Sequence, residues 1–237
     1  MSSLIECTVA GTVLRAPGIE SFRFTPAEPF SFLPGQYVQV LFDPERQGNK
    51  ELNKFLSLSC APGRGYLEVT KKLSTSEFSG RLHGLREGQR VRIRGPFGDC
   101  LLREDDRKVA FLAGGIGITP IISMVEHAVA HRPDLAMKLL YTNRAEEEFA
   151  FKGELEAWAA ASPLLSLHLF LTAGTPRDAR IAPGRITRER VQEILGDPAS
   201  WTCFVFGPPP MVAAMRTTCL EVGIPETQLR TESFLGY

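Results

Sequence analysis

The sequence predicts a two-domain chain: an antiparallel Greek-key β-barrel followed by an α/β domain built on a parallel sheet. Two textures predict it. From Leu4 to Gly98 the chain is a series of short runs, several alternating apolar and polar residues, separated by Pro17-Gly18, Pro34-Gly35, Pro62-Gly63 and Gly88. Beyond Lys108, short apolar runs alternate with stretches at helical spacing, the pattern of a parallel sheet with helices on both faces. A length of 237 residues, 43% of them apolar, is enough for two domains with packed cores. We place the barrel at 1–100, a linker at 101–107 and the α/β domain at 108–237.

The barrel strands read as Cys7–Leu14, Ser21–Thr25, Gln36–Phe42, Phe55–Ser59, Tyr66–Thr70 and Arg90–Arg94, with one helical piece at Ser76–Leu85. Six short strands with turn signals suit a small barrel better than an open sheet. In the second half the strands read as Val109–Leu112, Met137–Tyr141, Leu165–Leu171 and Thr202–Phe206. The helices read as Pro120–His131, Glu147–Ala161, Thr187–Leu195 and Pro210–Val222.

Between the first of those strands and its helix lies Gly114-Gly115-Ile116-Gly117-Ile118-Thr119-Pro120. Glycines permit positive φ and let a ligand approach the backbone. A helix N-terminus, with free N–H groups and the positive end of the dipole, favours a phosphate. Thr119 suits the cap and Pro120 the first turn. The spacing is not Gly-x-Gly-x-x-Gly. The same residues also suit a tight strand-to-helix turn that holds no ligand.

Lys and Arg total 27, as do Asp and Glu, so the formal charge is zero and nothing points to nucleic acid or a polybasic membrane contact. The five cysteines, Cys7, Cys60, Cys100, Cys203 and Cys219, contain no Cys-x-x-Cys pair. That argues against structural zinc or a built-in iron–sulfur cluster and suits a reducing cytoplasm. No signal peptide is visible between Met1 and Glu20, and the apolar stretch around 109–122 is too short and too interrupted to cross a bilayer. The four histidines show no metal-ligand spacing.

Six motifs follow in order: Lys54-Phe55-Leu56-Ser57, the Lys71–Leu82 segment, Gly95-Pro96-Phe97-Gly98, the glycine turn, Gly207-Pro208-Pro209-Pro210-Met211, and Glu232-Ser233-Phe234. This order resembles the ferredoxin–NADP reductase superfamily along essentially the whole chain. The resemblance implies an FAD-binding barrel and an NAD(P)-binding α/β domain. It puts Lys54 on the FAD pyrophosphate, Leu56 against the isoalloxazine and Ser57 near flavin N5, with Phe55 and Leu58 beside them. Val69 and Lys71 line the ribityl path, and Ser79, flanked by Phe78, meets the FAD phosphates; Ser76 and Ser79 also suit ordinary helix capping. Glu232 and Phe234, with Tyr237 as a second aromatic, cover the flavin, or else form a packed tail. Ser57 and Glu232 are the catalytic candidates.

For NADPH or NADH, the resemblance puts Gly114, Gly115 and Gly117 under the pyrophosphate and Thr119 and Pro120 near the nicotinamide end. Asn143 and Arg144 fall near the adenosine ribose, and Phe206, Gly207, Pro208 and Met211 at the nicotinamide. The chain departs from the family at three positions. Lysine replaces arginine at 54, a point charge for a two-pronged donor. Leucine replaces the aromatic at 56, and phenylalanine replaces cysteine at 206, where its ring would block or stack on the nicotinamide. Arg144 favours a 2′-phosphate while Glu146, Glu147 and Glu148 oppose one, so the choice of nicotinamide stays open.

The implied activity is hydride transfer from NAD(P)H to FAD, then electron release to a separate acceptor such as a ferredoxin or another redox protein. The alternatives are a flavin reductase that uses flavin as substrate, and a non-catalytic subunit that kept the fold.

Overall fold

A computed structural model describes residues 3–234, and the expectation for Tyr237 lies outside them. The chain forms two compact units. Of the described residues, one unit comprises 3–101 together with Thr119–His127, and the other comprises Leu102–Ile118 and 128–234.

The first unit holds six antiparallel strands: β1 (Ser3–Ala16), β2 (Ile19–Pro26), β3 (Tyr37–Leu41), β4 (Asn53–Ser57), β5 (Leu67–Lys72) and β6 (Arg90–Phe97). A short helix, α1 (Glu77–His83), follows β5. The strand order is β4-β3-β6-β1-β2-β5, and a single bridge, Leu58 to Val69, links the two outer strands. Alternation sends one face of each strand inward, where Val9, Phe22, Phe24, Val38, Val40, Val69, Phe78 and Ile93 pack. The expected turn at Gly95–Gly98 begins later than read. β6 continues through Phe97, and its pairing with β3 shifts between Tyr37 and Gln39, a bulge that accommodates Pro96, which has no N–H to give.

The second unit holds a parallel sheet of order β10-β9-β8-β7-β11-β12. Its strands are β7 (Lys108–Gly114), β8 (Ala136–Asn143), β9 (Leu165–Leu171), β10 (Ile181–Pro183), β11 (Thr202–Gly207) and β12 (Leu229–Ser233). The helices are α2 (Thr119–His131), α3 (Lys152–Ala161), α4 (Arg188–Leu195) and α5 (Pro209–Glu221). On one face Ala110, Leu112, Leu140, Phe170 and Val205 pack with Val191 and Leu195 of α4 and Val212 and Cys219 of α5. Chain order reverses between β7 and β11, and such a switch point in an open α/β sheet leaves a crevice at the carboxyl ends of the strands.

Several expectations need correction. β10 and β12 were not among the predicted strands: one is three residues long and the other, Leu-Arg-Thr-Glu-Ser, is a mostly polar edge. The third helix starts at Lys152 rather than Glu147. Glu146–Glu148 form a separate 3-10 turn, and Phe151 takes a left-handed φ of 60° between them. Residues 102–107 pack into the second unit. Asp106 is buried there, accepts bonds from the Arg103 N–H (2.7 Å) and Thr202 Oγ1 (3.2 Å), and holds Arg230 with both carboxylate oxygens (2.7 and 3.0 Å).

Candidate nucleotide sites

On β4 the side chains divide by pleat. Lys54 and Leu56 lie opposite Val40 and Val38 on the inward face, and Leu56 leans on the barrel core. Phe55 and Ser57 lie on the other face. The Phe55 ring, 54% exposed, meets Tyr37 and Phe97 edge-on at 5.6 Å each. Phe55 therefore parts company with Lys54 and Leu56, as period-two alternation requires. Ser57 is buried.

Lys71 follows Val69 at the inward period of β5 and is buried. Burial, and then the like charge of Lys54, push its ammonium below the usual lysine pKa. Neither lysine has an ion-pair partner among the described residues. Lys71 is thus a buried cation that feels the charge of Lys54, each on an inward position of one of the two outer strands. Such an arrangement is unfavourable by itself and favourable for a bound anion.

Ser79 is held by its own segment. Ser76 caps α1 by accepting the Ser79 N–H (3.3 Å), and the Ser79 hydroxyl lies 3.1 Å from the hydroxyls of both Ser74 and Ser76. The side chains of Leu58, Val69 and Phe78 are fully enclosed in the barrel core.

At the carboxyl edge of the parallel sheet, Gly115 opens a 3-10 turn (Gly115–Ile118) with a left-handed φ of 55°, and this turn runs directly into α2. The capping position is therefore Ile118, already helical, and Thr119 is the buried first residue of the helix rather than its cap. Pro120 sits in the first turn as expected from its missing N–H. Gly117 is required by packing. A Cβ there would stand 2.7 Å from the Phe206 carbonyl carbon, nearer still to its oxygen, and 2.9 Å from the Gly207 Cα. Gly114 and Gly207 lie beneath Met211, whose sulfur fills the space a Cβ on either would need.

Thr142 and Asn143 end β8 beside this turn, since Gly114 pairs with Thr142. Thr142 Oγ1 is an enclosed polar atom with no hydrogen-bond partner among the described residues, and the Tyr141 hydroxyl and Asn143 Nδ2 are enclosed beside it. Burial pushes the Tyr141 phenol well above its ordinary pKa, against the smaller opposing effect of the Asn143 side chain and the Ala150 backbone. Enclosed polar atoms clustered in this way are unusual, because such groups normally find strong partners. They suit a polar ligand at this edge. Arg144, the next residue, is exposed and has no ion-pair partner among the described residues. Glu146 and Glu147 both engage Arg177: Glu146 accepts its backbone N–H at 2.9 Å, and Glu147 pairs with its guanidinium.

The Phe206 ring lies among other aromatic rings. It is fully buried, stacked between Phe204 (6.1 Å) and Phe234 (6.3 Å). Phe234 follows β12 and donates its backbone N–H to the Gly207 carbonyl at 3.0 Å. Glu232 lies on β12 opposite Phe206. Pro208 is exposed ahead of α5. Sequence reasoning missed the pairing of the acidic run with Arg177 and of Asp106 with Arg230, because the partners lie 30 and 124 positions apart. A polar edge strand carrying one arginine was the only local signal for the second.

Among the described residues no group of three or more His, Cys, Asp or Glu could hold a metal, and no helix is long and apolar enough to cross a membrane.

Residues 111–217 match the family model of the oxidoreductase NAD-binding domain. Over 232 residues the chain is 31% identical to a flavohemoprotein of Bordetella pertussis, a match covering 91% of this chain and 57% of that protein. The chain thus spans little more than half the length of the curated relatives it matches. The fold is similar to the flavohem-like FAD/NAD-binding domain of nitric oxide dioxygenase from Vibrio cholerae, with a TM-score of 0.85, 20% identity, and coverage of 97% of this chain and 98% of that one. It is also similar to a ferredoxin NADP+ reductase from Neisseria gonorrhoeae with bound FAD and NADP, with a TM-score of 0.83, 19% identity, and the same coverage. At these identities the structural likeness is one of fold.

Proposed function

We infer that this chain, a member of the ferredoxin–NADP reductase superfamily, is an FAD-dependent oxidoreductase that takes electrons from NAD(P)H and delivers them to a separate acceptor. The observation that carries this reading is the enclosed polar edge at Tyr141, Thr142 and Asn143 beside the left-handed Gly115 turn, within the stretch that matches an NAD-binding domain. The lysine pair in the barrel supports the second cofactor, because a diphosphate would relieve it.

In this reading Lys54 and Lys71 hold the FAD diphosphate with the Ser79 segment beside it. Leu56 is the barrel residue assigned to the flavin, and Ser57 of the first unit and Glu232 of the second are the catalytic candidates. Gly114, Gly115, Gly117, Thr119, Asn143 and Arg144 hold the nicotinamide nucleotide, and Phe234 shields the buried Phe206. FAD, when bound, supplies the exchange between a two-electron hydride donor and one-electron acceptors. The protein supplies orientation and charge. The domain limits 1–100, 101–107 and 108–237 belong to the same proposal.

Arg144 is exposed with no ion-pair partner among the described residues, while Arg177 engages Glu146 and Glu147. That arrangement favours the 2′-phosphate of NADPH over the free ribose of NADH. For the acceptor we propose a ferredoxin or another redox protein. Five free cysteines, two of them with sulfurs 3.6 Å apart and unbonded, suit a reducing cytoplasm. A second reading, flavin as a dissociable substrate, is favoured by Leu56, which turns toward the barrel core and offers no ring to stack.

The test is direct. Protein reconstituted with FAD is expected to be yellow and to bleach anaerobically on addition of NADPH. Failure to retain or reduce FAD under any loading condition would remove the proposal, and a micromolar or weaker FAD affinity would favour the second reading.

A further inference from the structure

The crevice at the switch point between β7 and β11 is occupied by the chain itself. Gly114 and Gly207 end these neighbouring strands with bare, buried backbone, and the lack of a Cβ is the feature that ordinarily lets a ligand come close. Here the side chain that comes close is Met211, in the first turn of α5. A Cβ on Gly207 would stand 3.0 Å from its sulfur, and one on Gly114 would stand 3.1 Å from its methyl carbon and closer still to the sulfur. The backbone that carries it is fixed: the Met211 N–H bonds the Pro208 carbonyl at 2.9 Å, and Pro209 and Pro210 begin the helix. The side chain is not fixed in the same way. It is unbranched and only half-buried, and it packs against the two glycines. Its neighbours on the turn, Pro208, Pro209 and Pro210, are exposed, which leaves solvent for it to swing into.

We propose that Met211 is a specificity-determining plug: its thioether occupies the switch-point crevice in the free protein and swings out when a nicotinamide nucleotide enters. This rests on the reading of the second unit as a pyridine-nucleotide site. Two consequences follow. The free protein is competent only in the fraction of molecules whose crevice is open, so the apparent affinity is reduced by that fraction. The thioether also limits how bulky a ring can be seated against the bare strand ends.

The test measures equilibrium binding, so it does not depend on turnover. NADP+ and NAD+ are titrated calorimetrically into the full chain and into Met211→Ala, with thermal midpoints recorded to confirm that the variant is folded. The Ala variant is expected to bind about threefold to tenfold more tightly. In parallel, methyl-labelled methionine is followed by NMR in the unmutated protein. A nuclear Overhauser contact between the Met211 methyl and the Gly114 α-protons is expected in the free protein and should vanish on addition of NADP+. Equal or weaker binding by the Ala variant, or a contact that persists in the complex, would overturn the plug while leaving nucleotide binding intact. If neither protein binds either nucleotide, the reading of the domain fails and the plug with it. Binding by the Ala variant alone would support both.

Discussion

The three glycines of the turn after β7 look interchangeable in sequence, yet their replacement by alanine should have three different costs. At Gly117 the new methyl meets backbone, the Phe206 carbonyl group and the Gly207 Cα, and backbone at the end of a central strand cannot step aside as a side-chain tip can. Overpacking of this kind costs about 3 kcal/mol, the upper end of the usual range. At Gly115 the space is open, with only Asn143 Oδ1 at 4.0 Å, but φ is +55°, so the cost is conformational, about 1 kcal/mol. At Gly114 φ lies outside the left-handed region and the methyl displaces only the flexible end of Met211, so the net change should stay within about 1 kcal/mol of zero. Differential scanning calorimetry of the three variants checks the order. For a chain of this size the Gly117→Ala midpoint should fall by roughly 6–12 °C, Gly115→Ala by roughly 2–4 °C, and Gly114→Ala by less. A Gly114→Ala variant as damaged as Gly117→Ala would refute the reasoning, because it would mean that Met211 is as immovable as backbone.

Three further outcomes are expected. Lys71→Met should raise the stability of the FAD-free protein by about 1 kcal/mol, since it removes a buried cation beside Lys54, while weakening FAD binding at least tenfold; urea titration and flavin fluorescence measure the two. In the FAD-free native protein Lys71 has a depressed pKa, so its penalty should fade as pH rises toward the ordinary lysine value, a gain in stability the Met variant should lack. Asp106→Asn should cost about 3 kcal/mol by leaving the Arg230 guanidinium without its counter-charge. Burial would raise the Asp106 pKa, but Arg230, the Arg103 N–H and Thr202 outweigh it and hold the carboxyl below its ordinary value. Its stabilisation should therefore be complete above about pH 4 and be lost as pH falls through the depressed value, and acid titration by circular dichroism should show a weaker acid limb in the Asn variant. Arg144→Ala should reduce the NADPH-to-NADH ratio of kcat/KM about tenfold or more, mostly through KM for NADPH; an unchanged ratio would assign the discrimination elsewhere.

What the sequence determined by itself was the kind of every long element and the order of the motifs. Alternation and helical spacing are local, so Pro/Gly punctuation was enough to set out six barrel strands and the run of strands and helices beyond 108. Family resemblance then identified which short stretches to watch. The tertiary structure decided everything that depends on partners far apart in the chain: that buried Lys71 feels the charge of Lys54, that Arg177 engages Glu146 and Glu147, that Asp106 and Arg230 pair, and that Phe206 is buried and stacked with Phe234. The physical reason is that periodicity records which way a side chain points, while charge compensation and enclosure depend on what arrives opposite it. β12, a short polar strand whose neighbour in the sheet is β11, shows the limit most plainly, since nothing in Leu-Arg-Thr-Glu-Ser marks it as a strand until that neighbour is in place.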